Sequence, residues 1–326
     1  MALMLYAPLH ATIELIRLER LVADGDGAGQ IMEDEDDSDS SLLVRRARPS
    51  DAESIYRIHL KSLGGVDRES LSWFEELLKL RSQSLKVLVA EEGGEVIGFS
   101  IAYRRRNKAY LDFLAVDPRE RGRGVGSALL AAQEEMLARE GAEEVSLGVK
   151  KDNFGALQFY LNHGYTVKGV VLMLSSSSVG DHSLDGYSVS IVRGGLSSVK
   201  SRVMPTAWWS SVTEYVNRRV YRKLEDQYSL LLYRGSKLRG LAEFSPRRRM
   251  TVDYVAVSYH KPADALGALV GALKAEARSR GVEEITIPVD GSKGAMSKTL
   301  LSQGFKVKGL EFKLRKELTL SLRKVS

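Results

Sequence analysis

The chain has 326 residues, 48 Lys and Arg against 42 Asp and Glu, and no cysteine. A single hydrophobic core seldom grows beyond roughly 250–300 residues, so two domains are expected. The lack of cysteine excludes disulfides, thiolate metal sites and an acyl-cysteine intermediate. The net charge of +6 is uneven: residues 1–41 carry two Arg against ten Asp and Glu, a net of −8, which leaves +14 on the rest. A basic body suits an anionic ligand such as a polyphosphate cofactor, with nucleic acid as the lesser reading. No stretch approaches the ~20 apolar residues of a membrane span and residues 1–11 lack a basic start, so a cytoplasmic address without membrane contact is expected. The acidic run EDEDDSD at 33–39 marks residues 1–41 as a solvated tail.

From Leu42 onward, strand and helix signals alternate. Residues 43–46 read as a strand, and Ser50 stands where it would cap a helix over 51–62 that Gly64 and Gly65 break. Leu71, Phe74, Leu77, Leu78 and Arg81 fall near a 3.6-residue period and predict an amphipathic helix over 69–80. Strands over 86–91 and 95–103 flank Gly93 and Gly94, a hairpin signal. A strand over 110–116, a helix over 125–140 closed by Gly141 and a strand over 144–149 make a β-α-β unit, its strands parallel through a right-handed crossover. A helix over 153–163, a strand over 165–174 and a polar loop over 175–186 follow. Residues 187–193 fit either the last strand of this half or the first of the next. Trp208 and Trp209 precede a helix over 212–224 and read as core or interface packing.

The second half repeats the first. DFLAV at 112 recurs as DYVAV at 253, AEEVSLGV at 142 as VEEITIPV at 282, and GYTVKG at 164 as GFKVKG at 304, with offsets of 141, 140 and 140. EEGGEVIGFS at 91 corresponds to YRGSKLRGLA at 233. Matches in the same order at nearly constant spacing indicate a duplicated domain.

In the first copy the strand ending at Val116 runs through Asp117 and Pro118 into RERGRGVGS at 119–127, then into the long helix. Glycines let backbone amides turn inward, a helix N-terminus adds partial positive charge, and three arginines add counter-charge: the outline of an anion site. A Walker loop is excluded because no Lys-Ser/Thr follows the glycines. A dinucleotide fingerprint would begin at the strand end and need glycine at Ser127. Arg-x-x-Gly-x-Gly from Arg121 to Gly126 resembles the acetyl-CoA pyrophosphate loop of the GNAT family of N-acetyltransferases.

That resemblance covers residues 43–193 and is densest over 110–168. It implies an α/β GNAT fold, a mixed and mostly antiparallel sheet around the central β-α-β unit, here duplicated: a tail over 1–41, an acetyl-CoA-binding domain over 42–193 and a degenerate domain over 194–326. It also implies acetyl-CoA as cosubstrate. Leu114, Ala115 and Val116 would offer backbone groups to the pantetheine arm, and Gly122, Arg123, Gly124, Val125, Gly126 and Ser127 would wrap the pyrophosphate behind Arg121. Asn153 would touch the arm, and Tyr160, two turns along one helix face, would face the sulfur. In the family branch that acetylates protein N-termini a catalytic Glu often stands five residues before that Asn, where this chain has Gly148.

Tyr160, with an ordinary pKa near ~10 against ~8.5 for a thiol, can protonate a leaving thiolate without ionising itself; core packing beside Phe159 is its other reading. Asn153 could equally be a helix cap. Asp112, mid-strand, is the candidate base, or else a structural partner of Arg104, Arg105 or Arg106. The five histidines, at 10, 59, 163, 182 and 260, show no ligand spacing, so no metal is expected; His163 suits a helix C-terminus. In the second copy Pro262, Ala263, Asp264 and Ala265 replace Arg121, Gly122, Arg123 and Gly124, and Lys293 and Leu300 replace Asn153 and Tyr160, which removes the cofactor chemistry. The expectation is acetyl transfer to an amine of a small molecule or protein by direct attack, against the alternative of an acetyl-CoA-binding sensor that docks a macromolecule.

Overall fold

A computed structural model describes residues 41–62, 69–177, 184, 186–196 and 202–319; the acidic run and the histidines at 10 and 182 lie outside the described residues. The first copy runs β1 (Leu43–Arg46), α1 (Ala52–Ser62), α2 (Leu71–Lys79), β2 (Leu85–Glu92), β3 (Glu95–Arg105), β4 (Lys108–Val116), α3 (Val125–Arg139), β5 (Glu144–Lys150), α4 (Phe154–Asn162) and β6 (Thr166–Ser177). Gly93 and Gly94, at φ +56° and +79°, make the tight turn between β2 and β3. The cap of α2 is Ser70, whose hydroxyl accepts from the Trp73 amide. Ser50 does not cap α1: it lies in a 3₁₀ turn at Pro49–Asp51, where the Asp51 carboxylate reaches back to the Arg48 amide.

The second copy continues with β7 (Ser188–Arg193), β8 (Val203–Pro205), α5 (Ser210–Tyr221), β9 (Tyr228–Arg234), β10 (Lys237–Phe244), β11 (Arg249–Thr251), β12 (Tyr254–Ser258), α6 (Pro262–Ser279), β13 (Glu284–Asp290), α7 (Gly294–Ser302) and β14 (Lys306–Glu317). β5 and β13, α4 and α7, and β6 and β14 begin and end 140 residues apart. The strand equivalent to β4 is split at Val252 and Asp253 into β11 and β12. β7 pairs with β9, as β1 does with β2, and so belongs to the second sheet.

The copies share backbone. One nine-stranded sheet has the order β1-β2-β3-β4-β5-β14-β6-β13-β11, and a five-stranded sheet has β7-β9-β10-β12-β8. β14 of the second copy is hydrogen-bonded between β5 and β6, and β6 of the first lies between β14 and β13. Ser175–Ser177, expected in a loop, therefore extend β6, because β13 supplies their ladder partners and the Ser175 and Thr286 hydroxyls bond at 2.6 Å. Lys316 on β14 adds an ion pair to Glu134 of α3.

Side chains are shared as well. Val212, Val216 and Val220, four apart on one face of α5, join Ile55, Trp73, Phe74, Phe99 and Tyr103 of the first copy in one core. Burying each such side chain is worth about 1.5–3 kcal/mol. Leu314 of β14 completes the core between the sheet and α3–α4, and Leu174 of β6 that of the second copy. A fragment of residues 42–193 keeps β5 and β6 but loses the strand between them. It should give no cooperative melt by circular dichroism, whereas co-expression with residues 184–326 should restore one.

Candidate active site

β4 and β5 run parallel only from Lys108–Glu144 to Tyr110–Ser146. Beyond that pair the strands part, β4 staying with β3 as far as Val116 and β5 with β14 as far as Lys150. Their facing edges open a V whose walls are main-chain N–H and C=O groups. Ile101 opposes Phe113 and Ala102 opposes Leu111, so Asp112 is an extra residue on β4, a bulge at the apex of the V.

Leu114, Ala115 and Val116 line the β4 arm and are partly buried. At its open end Gly122 and Gly124 have φ of +80° and +84°, and a Cβ on either would stand in open space within the loop. Gly124 caps α3, whose first bond from this turn is the Ala128 amide to the Gly124 carbonyl, so the amides of Val125, Gly126 and Ser127 precede it. The loop is thus a concave set of donors at a helix N-terminus. Arg121 Nε donates to the Val116 carbonyl at 3.3 Å and pins the loop to the strand end. Arg123 is bound to Glu92 at 2.8 Å and to Glu120, so part of its charge is already matched.

α4 lies across from this loop. Asn153 is exposed and caps α4, its Oδ1 accepting from the Ala156 amide at 3.1 Å. Tyr160 is buried, edge-on to Phe159 at 5.2 Å and to Tyr165 at 5.4 Å, and burial raises the pKa of its hydroxyl. His163 joins the two helices, with Nδ1 2.7 Å from the Phe159 carbonyl and Nε2 3.0 Å from Ser127 Oγ. Because a carbonyl only accepts, Nδ1 carries a proton and donates it to Phe159, and Nε2 shares a hydrogen bond with the Ser127 hydroxyl.

The other face of the apex is apolar and acidic. Trp208 meets Tyr110 edge-on at 5.1 Å, and Trp209 stacks on it at 6.1 Å. The Asp112 carboxyl has its pKa raised to about 7: burial is the main cause, a hydrogen bond from Tyr110 opposes it, and the negative charge of Glu311 adds to it. None of the three arginines weighed as its partner takes that place: Arg104 pairs with Glu140 and Arg105 with Glu214, while the Arg106 carbonyl accepts from Arg104. Glu311, on β14, gave no signal in the sequence because its nearness depends on the strand exchange.

The family model of the Acetyltransferase (GNAT) family matches residues 52–165, which contain the V, the loop and α4. The chain belongs to the GNAT family. An uncharacterized N-acetyltransferase of Methanocaldococcus jannaschii is 28% identical over 144 residues, 40% of this chain and 63% of that protein. A mycothiol acetyltransferase of Clavibacter michiganensis is 38% identical over 94 residues, 29% of this chain and 28% of that protein. The chain thus spans less than two thirds of these curated relatives. In fold, this GNAT chain is similar to a tandem GNAT protein from the clavulanic acid biosynthesis pathway, with a TM-score of 0.65, 17% identity, and cover of 85% of this chain and 99% of that one. A GCN5-related N-acetyltransferase from Sphaerobacter thermophilus gives 0.57 at 19% identity, covering 85% and 96%.

The second GNAT copy builds the corresponding region differently. α6 ends 140 residues after α3 but has 18 residues against 15, so its surplus turn lies at the N-terminus. Pro262, Ala263 and Asp264 are helical where the first copy has its glycine loop. Among the described residues no group of three or more His, Asp or Glu side chains could hold a metal, and no helix is long and apolar enough to cross a membrane.

The raised Asp112 pKa has a stability consequence. The folded state holds this proton up to about pH 7, against about 3.8 for an ordinary Asp, so the stabilisation is complete below pH 3.8 and is lost as pH rises to 7. Asp112→Asn should therefore raise the melting temperature at pH 8, by a stability gain on the order of 1–3 kcal/mol, with the gap to wild type closing towards pH 4 in thermal melts.

Proposed function

We propose that this chain is an N-acetyltransferase that moves an acetyl group from acetyl-CoA to a primary amine by direct attack in a ternary complex in the first copy. The observation that carries this reading is the parted β4 and β5, with a left-handed glycine loop at the open end and a carboxylate at the apex. The concave loop and unpaired strand edge suit a long ligand with an anionic end. Leu114, Ala115 and Val116 would pair with the amides of the pantetheine arm, and residues 122–127 would hold the pyrophosphate through backbone N–H groups. Arg121 supplies further positive charge, whereas Arg123, already paired, supplies less.

Acetyl-CoA brings an activated thioester, and the chain supplies proton transfers. Tyr160, its hydroxyl held protonated by burial, gives a proton to the departing sulfur. Asp112 accepts one from the amine; a carboxyl titrating near 7 is half ionised at neutral pH and basic enough to serve. Asn153 fixes the start of α4 and through it the setting of Tyr160. The helical Pro262–Asp264 turn, with an acidic residue where phosphate would sit, and Leu300 in the place of Tyr160 favour one acetyl-CoA per chain.

Incubation with labelled acetyl-CoA and a panel of amines and peptides, followed by mass spectrometry, tests the reading. Label on an amine is expected, with turnover rising through an apparent pKa of about 7. Tyr160→Phe should lower turnover on the order of 10²–10⁴-fold and leave acetyl-CoA affinity nearly unchanged in calorimetry. Tight acetyl-CoA binding without transfer to any acceptor would instead favour a sensor.

A further inference from the structure

The acceptor side of the V contains a group from the other copy. Gly148 lies on β5 two residues past the last β4 pairing, and a Cβ built on it would come 3.0 Å from Glu311 Oε2. The missing side chain on one strand is thus a notch filled by a carboxylate from the next. Glu311 pairs with Lys150 on β5 and with Val171 on β6, and Val171 in turn with Asp290 on β13, so these residues share one face of the sheet. Lys313, two residues along β14 and on the same face, holds its ammonium 4.5 Å over the Trp208 ring. The charge of Glu311 is felt at both β4 groups of the apex, Asp112 and the Tyr110 hydroxyl.

The duplication provides an internal control. Shifted by 140 residues, the Lys150–Glu311 pair becomes Asp290–Val171, and Gly148 becomes Pro288. The exchange is two-fold in outline, but only the strand entering the first copy brings a carboxylate, and only there does a glycine make room for it.

We propose that Glu311 is a catalytic residue of the first copy's site, carried there by the exchanged strand: its carboxylate in the Gly148 notch receives the ammonium group of the acceptor beside Asp112, and the two acids act as one proton acceptor. The inference rests on the acetyltransferase reading and narrows its acceptor to a primary alkylammonium. Of the two protons that such an ammonium loses, the carboxylate pair takes one and frees the nitrogen lone pair. As the N–C bond forms and the C–S bond breaks, the electron pair of the latter stays on sulfur, which takes a proton from Tyr160. The second nitrogen proton goes through solvent and restores Tyr160. Two nearby carboxylates resist double ionisation, so the pair enters the cycle with one negative charge and takes up one proton.

Glu311→Gln and Gly148→Ala in the full chain test this, the first removing the charge and the second pushing the carboxylate out of its notch. Both variants should bind acetyl-CoA within two-fold of wild type by calorimetry. Glu311→Gln should lower kcat/KM for the amine about 100-fold, and carbon NMR of labelled aspartate should show the Asp112 midpoint falling below its wild-type value. Gly148→Ala should lower kcat/KM in the same direction. A folded Glu311→Gln protein with wild-type kcat/KM, or with an unmoved Asp112 midpoint, would overturn the proposal. If the wild type acetylates no amine, the acetyltransferase reading fails by itself, and the Asp112 midpoint in Glu311→Gln still decides whether the two carboxylates form a pair.

Discussion

The hydrogen-bond ladder that threads β14 between β5 and β6 is the constraint on which the rest of the molecule depends. It places β6 of the first copy against β13 of the second, and thereby fuses two duplicated units into one nine-stranded sheet. Without it β5 and β6 would each present an open edge, a row of unpaired amides and carbonyls that invites association with other chains. Leu314 beneath α3 and α4, together with the α5 valines in the first copy's core, adds apolar burial to the same junction. Among the described residues, the largest core cluster of each copy includes side chains of the other.

The candidate site follows from where that sheet fails to pair. A parallel pair of strands that stays in register leaves no room for a ligand, whereas β4 and β5 separate after three residue pairs and leave polar edges facing each other. The bulge at Asp112 re-aims the chain where the strands part. Burial at the apex raises the pKa of that carboxyl to about 7, so its ionised form is a stronger base than an ordinary aspartate and both forms are populated near neutral pH. The second copy retains a counterpart of this break at Asp253, but its loop has wound into the first turn of α6. Duplication here preserved the architecture while the helix start, and with it the concave glycine loop, diverged.

Much of this was legible in the chain itself. The four repeat segments gave the duplication, since strand and turn chemistry survive together at a fixed offset, and the glycine loop at 122–126 gave the family. The strand exchange was hidden for a physical reason: GYTVKG and GFKVKG are so alike that local chemistry cannot tell which copy's sheet each strand enters. Ser175–Ser177 looked like a loop because their partner is 111 residues away on β13. The partners of Asp112 were likewise invisible, since Tyr110 is close in sequence but Glu311 comes from another strand altogether. Asn153 and Arg123 show the opposite case. Capping is a local interaction that the sequence already offers for Asn153, and Arg123 pairs locally with Glu120, while its second partner, Glu92, comes from β2.

The central claim, that the exchanged strands make one cooperative body of the two copies, is tested most directly by native-state hydrogen exchange in increasing denaturant. The amides of β5, β14, β6 and β13 should converge on a single opening free energy, equal to that of global unfolding, with those of α3 and α6 joining at the same point. Two separate groups, with β5 and β6 protected to one free energy and β13 and β14 to another, would contradict the account.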